Sequence, residues 1–197
     1  YTSIRDGAWD DPGTWSLKVG EPCDCTPSAT ISGFDVMINH NVSADFDIEI
    51  ESGGMLTIGI PGSLSMSENT LEVVNGNFIS DGFSHLGALE VAAEGYTLFT
   101  YPAIIENDIV IRGVLDVLFA EFDSIIIMQG DMDITETGVL NMELVCLTFN
   151  DGDFTNYGEV VGTLGSVGGE TVLSHTDLSY PGVFFNLAVR DDDKIDY

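Results

Sequence analysis

Positive charge is almost missing from this chain. Five Lys and Arg residues stand against 33 Asp and Glu, a formal net charge of −28 at pH 7. So few cations cannot neutralise a row of phosphates or anionic lipid headgroups, which excludes nucleic acid and membrane surfaces as expected partners. The same argument weighs against polyanionic glycans and leaves neutral glycans, cationic partners and Ca2+ open. Acidity alone is also an ordinary means of keeping a surface soluble. Cysteine is scarce as well: three residues suit neither a full disulfide framework nor a zinc site. Cys23 and Cys25 form either a strained Cys-x-Cys bridge or free thiols, and Cys146, inside "LVCLTF", reads as a buried core thiol. No apolar run approaches the ~18 residues of a membrane span, so no membrane insertion is expected. No signal peptide opens the sequence, and an exported protein is expected to have lost it already. Helix signals are missing too: no capped stretch has a 3.6-residue period, and Lys, Arg and Gln are few.

What is present is apolar. Hydrophobic residues make up 44% of the 197 residues and mean hydropathy is +0.20, enough for a real core or one elongated array of repeats. From residue 36 onward, short alternating runs such as "DVMI", "IEIESGGMLTIGI", "ALEVAAEGYTLFT" and "DIVIRGVLDVLF" are punctuated by Gly, Asn, Asp or Ser. Taking the runs that begin at Ile48, Leu71, Leu89, Ile109, Ile125 and Val145 as equivalent gives steps of 23, 18, 20, 16 and 20 residues. A period near ~20 residues marks solenoids. Three short strands per turn then build an all-β fold, a right-handed parallel β-helix (β-solenoid), in preference to a β-sandwich, whose hairpins would need more Asn-Gly and Asp-Gly pairs. On this reading residues 36–197 are β-helix coils that continue past Tyr197, and residues 1–35 are a cap and lead-in.

The opening "GAWDDPGTWSLKVGEPCDCTP" has no secondary-structure period. An uncovered first coil invites aggregation, and Trp9 and Trp15, held apart by the turn Asp10-Asp11-Pro12-Gly13, are suited to lie across it as a Trp-rich N-terminal cap. Pro22 and Pro27 flank the Cys-x-Cys and keep it extended. Trp9, Asp11, Trp15, Cys23 and Cys25 are therefore the expected cap residues.

These same residues carry a resemblance. The stretch from Ser3 to Val42 resembles the opening segment of large type IX-secreted, β-helical surface and adhesin-like proteins of gliding and related bacteria. Gly7, Trp9, Asp11, Thr14 and Trp15 match its Gly-x-Trp-x-Asp-x-x-Thr-Trp motif; Pro22, Cys23 and Cys25 match the next part, and Ile31, Gly33, Val36 and Ile38 the strand that follows. "GVFFNLAV", residues 182–189, looks like a strand that recurs in the same proteins, and Asp123-Ser124-Ile125 is similar to their short O-glycosylation acceptor. The resemblance covers about a fifth of the chain and lacks a recognisable C-terminal sorting domain. It implies an extracellular or cell-surface location and an adhesive or structural role.

Catalytic constellations are thin. Arg5, Lys18, Arg112, Arg190 and Lys194 are scattered, which leaves a uronate lyase without a base or a charge partner for its substrate. Asp45/Asp47, Asp131/Asp133 and Asp151/Asp153 supply paired carboxylates of the kind glycoside hydrolysis needs, yet such pairs arise from composition alone. His40, His85 and His175 have no His-x-x-x-His or Cys-x-x-Cys partner, and His40 reads as a turn cap. There is no Gly-x-Ser-x-Gly elbow. Thr57, Thr70, Thr97 and Thr135 are too irregular for an ice-binding array, and Tyr96, Phe99 and Tyr101, the nearest approach to an aromatic row for glycans, read mainly as core. For Ca2+, "NDGDFTN" gathers Asn150, Asp151 and Asp153, with Asn156 nearby; the same Asp-Gly-Asp also makes a plain corner between strands. No other cofactor is expected. The sequence thus predicts a non-enzymatic, secreted structural or adhesive segment, the N-terminal part of a larger cell-surface protein or filament. Its expected partners are other surface proteins, neutral glycans, further copies of itself or export machinery. Two alternatives stand beside it: a carbohydrate-binding or carbohydrate-active β-helix module, and secreted cargo bound to export or surface machinery.

Overall fold

The computed structural model describes residues 1–17, 21–149, 152–168 and 173–174. Among them the chain forms strands throughout, relieved by one 3-10 turn at Pro12–Thr14, and no helix is long and apolar enough to cross a membrane. Nearly all strand pairs are parallel, and each joins a segment to the equivalent segment one coil later. The fold is a parallel β-solenoid with three faces.

The first face stacks Asp35–Ile38, Met55–Ile58, Asn77–Ser80 and Tyr96–Phe99, then the openings of Val114–Ile127, Val139–Phe149 and Glu159–Gly168. Register runs without a break from Asp35 through Met55, Asn77, Tyr96, Val114 and Val139 to Glu159. One coil therefore takes between 18 residues, Tyr96 to Val114, and 25, Val114 to Val139. The second face stacks Asn41–Ser43, the starts of Ser63–Val73 and Phe83–Val91, Ala103–Ile105, and the far ends of Val114–Ile127 and Val139–Phe149. The third stacks Thr30–Ser32, Ile48–Glu51, the ends of Ser63–Val73 and Phe83–Val91, Ile109–Ile111, Met132–Ile134 and Phe154–Asn156.

Alternation sends every second side chain inward, and parallel register stacks the inward ones coil upon coil. On the third face Ile31, Ile50, Val73, Val91, Ile111 and Ile134 form one such column, all fully buried. A second column there runs Ile48, Leu71, Leu89, Ile109, Met132 and Phe154. Here the repeat read from sequence is half right. Ile48, Leu71, Leu89 and Ile109 are equivalent, but the next member is Met132, whereas Ile125 and Val145 belong to the second face. The 16-residue step between Ile109 and Ile125 was a jump from the third face, past the first-face segment at Val114–Val117, to the second.

Two corners explain how the faces meet. Before each first-face strand a glycine stacks on the glycine of the coil below: Gly54, Gly76, Gly95, Gly113, Gly138 and Gly158. The carbonyls of the first five accept an N–H from the following coil, as Gly54 does from Asn77 (3.0 Å) and Gly113 from Val139 (2.8 Å). A Cβ on Gly113 would collide with the carbonyl oxygens of Ala92 and Gly95, so the column tolerates no side chain. Before the third-face strands the device is different. Asp47 Oδ1 accepts the N–H of Thr70 (2.8 Å), Asp108 Oδ1 that of Asp131 (3.0 Å), and Asp131 Oδ1 that of Asp153 (2.8 Å). These carboxylates satisfy backbone donors where the chain bends between faces.

The solenoid opens with a lid. Trp9 and Trp15 are 1% and 0% exposed, with ring centroids 5.2 Å apart and planes inclined at 67°. Trp15 Nε1 donates to the Trp9 carbonyl (2.7 Å), and Trp9 Nε1 to that of Pro27 (3.0 Å). Both indole donors are satisfied, which lets two large rings be buried without an orphaned N–H. Thr2–Ser3 pairs antiparallel with Trp15–Ser16, and Thr2 also sits in register on Met37 of the first coil. Asp11 caps the 3-10 turn by accepting from Gly13 N (2.8 Å) and meets Arg5 at 2.6 Å. Cys23 and Cys25 are joined by a disulfide, and Cys23 N donates to the Trp15 carbonyl at 3.0 Å, which lays the bridge beside the lid.

Candidate functional site

Outward side chains also stack in columns, and one of them concentrates charge. On the third face Glu49, Glu72 and Glu90 occupy successive coils in strict register, preceded by Thr30 and followed by Val110. Parallel pairing sets equivalent positions about 4.8 Å apart, close enough for like charges to repel. Partial burial, then Glu90 and Glu49, push the Glu72 carboxyl above the usual carboxylate range, while Arg112 pulls it the other way. Arg112 meets Glu90 at 3.3 Å, at one end of the row. With Asp47 and Thr70 these side chains line an open trough of about 410 Å³. Chemically the row is a carboxyl that takes up a proton more readily than usual, set between two further carboxyl groups.

The residues singled out from sequence are dispersed over the molecule. Asn150 and Asp151 lie outside the described residues, so the calcium loop is represented by Asp153, whose N–H goes to Asp131 and whose side chain is exposed. Asp131 stands in the corner column, whereas Asp133 points outward from the middle of its strand. Among the described residues no group of three His, Cys, Asp or Glu side chains is placed to hold a metal ion. His40 Nδ1 lies 3.0 Å from the Ser3 carbonyl and 3.1 Å from Ser3 Oγ, tying the lid to the first coil and not capping a local turn. His85 Nε2 faces Glu106 Oε1 across neighbouring coils. His175, Lys18, Arg190, Lys194 and the 182–189 strand lie outside the described residues, as does the side chain of Cys146.

The three aromatics of the proposed glycan row go three ways. Phe99 is in the core, edge-on to Phe78 with centroids 5.6 Å apart. Tyr96 points outward, and its hydroxyl donates to Asp116 Oδ2 at 2.7 Å; burial and that carboxylate push the phenol up to about 12. Tyr101 stands on the edge between the first and second faces, 44% exposed. Sequence reading missed the Glu column altogether. Its signal was present: Glu49, Glu72 and Glu90 are spaced 23 and 18 residues apart, the same steps as Ile48, Leu71 and Leu89.

Set against known protein families, curated proteins and solved structures, the chain finds no match.

Proposed function

We propose that the chain is a secreted structural and adhesive segment of a cell-surface protein, a stiff acidic rod that works through its outer columns. The observation that carries this reading is the unbroken register of the first face from Asp35 on the first coil to Glu159 on the last described one. A solenoid of this kind gains its stability from contacts between neighbouring coils, so it can be long and stiff without a central site. Its outer surface sets equivalent positions about 4.8 Å apart on successive coils, which suits many weak contacts acting together. The likeness of the Trp9-to-Trp15 motif to type IX-secreted surface proteins supports the export setting. Protease treatment of intact cells that make the protein tests it: the segment should be shaved from the outside without lysis, and beads coated with it should be retained on those cells under flow. Full protection until lysis would overturn the reading.

A second reading has one specific observation in its favour. Glu72, with its carboxyl raised between Glu49 and Glu90, is the arrangement that acid-assisted cleavage of a glycosidic bond employs. Release of reducing ends from neutral glycans that Glu72→Gln abolishes would favour it.

A further inference from the structure

Among the described residues five large hydrophobic side chains are strongly exposed, and three of them share one edge of the solenoid: Ile60 at 72%, Tyr101 at 44% and Leu118 at 41%. Each sits where the chain passes from the first face to the second. Ile60 follows Met55–Ile58, Tyr101 follows Tyr96–Phe99, and Leu118 comes directly after Val117, which is in register with Phe99. Half-buried Ile79 and Leu98, stacked on each other in the adjoining outward column, widen this ridge. Exposed apolar side chains gathered along one edge, on a chain with so much acid to spend on its surface, are a mark of contact.

The charges around the ridge define what fits it. Asp81 lies on the coil between Ile60 and Tyr101 and accepts from Thr100 Oγ1 at 2.6 Å; Asp116 stacks on Leu98. Of the cations among the described residues, Arg5 is held by Asp11 in the lid and Arg112 by Glu90 beside the third face, so neither reaches this edge. His85, on the second face, is turned to Glu106. A second copy of a chain carrying −28 would meet its own acids here, whereas a basic partner would be attracted. An added β-strand is disfavoured here, because the strands on either side of the edge already pair their backbone groups with neighbouring coils. Spacing favours a helix. Ile60 to Tyr101 is two coils, about 9.6 Å, and Tyr101 to Leu118 one coil, about 4.8 Å. On an α-helix, seven residues rise about 10.5 Å and three rise about 4.5 Å.

We propose that the Ile60–Tyr101–Leu118 edge docks a basic amphipathic helix with apolar residues at i, i+7 and i+10. Its apolar stripe covers the ridge and its Lys or Arg residues flank Asp81 and Asp116. This deepens the adhesive reading by naming the chemistry of one partner, and it rests on that reading only for its biological setting. The test uses a fluorescein-labelled 18-residue peptide with Leu at those positions and Lys on the opposite face, titrated with the full chain and followed by anisotropy. Saturable binding is expected. It should weaken at least tenfold in Tyr101→Ser/Leu118→Ser and at least tenfold when Glu replaces Lys in the peptide, with Glu49→Gln/Glu72→Gln little changed. All substituted side chains are surface groups, and an unchanged melting curve checks that the variants are folded. Absence of saturable binding overturns the assignment. So does binding that the ridge variant leaves intact, or that the third-face variant abolishes, since either means charge alone. A dimer in light scattering that Tyr101→Ser/Leu118→Ser dissolves would give the edge to a second copy and also overturn it. Failure of the cell-shaving test would leave these outcomes untouched.

Discussion

Thr97 points into the core of the first face, in register with Phe78 on one coil and Leu115 on the next, and it is fully buried. Its hydroxyl has no hydrogen-bond partner. Leaving a buried hydroxyl unsatisfied costs about 1–3 kcal/mol, because water that bonded it in the unfolded chain is not replaced. Thr97→Val keeps the shape, exchanges the hydroxyl for a methyl and suits an extended backbone at least as well. The expected gain is about 1–2 kcal/mol. For a chain of this length that corresponds to a rise in Tm of about 2–8 °C. Urea unfolding followed by circular dichroism should show a higher midpoint with an unchanged slope, so that the gain is read as stability and not as a change in the unfolded ensemble. Thr57→Val is the control: it lies on the same face, points outward and is half-buried, and should shift stability by no more than about 0.5 kcal/mol. A neutral or destabilising Thr97→Val, with the control flat, would refute the reasoning, since the hydroxyl would then have to be satisfied in the folded protein.

Gly113→Ala should destabilise by about 2–3 kcal/mol because its Cβ would press on the carbonyl oxygens of Ala92 and Gly95; Gly53→Ala, with φ +75° and nothing near its Cβ, should lose only the left-handed penalty of about 1–2 kcal/mol. Thermal melts of the two variants compare them. Glu72 has a raised carboxyl in the folded state, so folding takes up a proton there: its contribution is fully present below the ordinary Glu range and is lost as pH rises through the folded pKa. Tm should therefore rise on acidification from neutral pH down through the ordinary carboxylate range, and by less in Glu72→Gln, a difference that salt reduces; equal pH slopes for the two proteins would contradict it. Reduction of the Cys23–Cys25 bridge should cost at most about 1.5 kcal/mol, because it closes so short a loop. Melting with and without dithiothreitol measures this, and collapse of the whole fold would show that the bridge holds more than its own segment.

The solenoid was legible in the sequence because its inward columns obey two simple rules at once, alternation along a strand and recurrence near twenty residues. Phase was harder. Apolar runs on all three faces look alike, so spacing alone could not say that Ile109 continues to Met132 and not to Ile125. Glycine would have supplied the phase: Gly54, Gly76, Gly95, Gly113, Gly138 and Gly158 mark the same corner on successive coils, and each is required by carbonyl oxygens close below it. The cap was visible in part. Two tryptophans in a stretch without period point to a lid, but the bond from Trp9 Nε1 to Pro27 and the tie from His40 to Ser3 depend on the path of the chain through the first coil. The Glu column, whose steps repeat those of Ile48, Leu71 and Leu89, and the Ile60–Tyr101–Leu118 edge were missed for one reason: each is recognised as a unit only once register is fixed, since their members are 17 or more residues apart and belong to different local motifs.

Register also divides the acidity into kinds that a net charge conceals. Asp47, Asp108 and Asp131 each accept a backbone N–H from the next coil, so these carboxylates complete the corner hydrogen bonding and would be costly to remove. Glu49, Glu72 and Glu90 do the opposite: stacked in line, they work against the coils they decorate. Corner carboxylates have a structural cause that the fold itself supplies. The Glu column has none: like charges stacked on three consecutive coils oppose the folding that the corner carboxylates support. The apolar edge makes the same argument from the other side. On a chain with 33 acidic residues, Ile60, Tyr101 and Leu118 stand exposed at a corner where Asp81 serves on the coil between Ile60 and Tyr101. Both departures from what folding requires lie on the outside of the rod and run along its axis, which is why its function is sought in what binds lengthwise and not in an enclosed site.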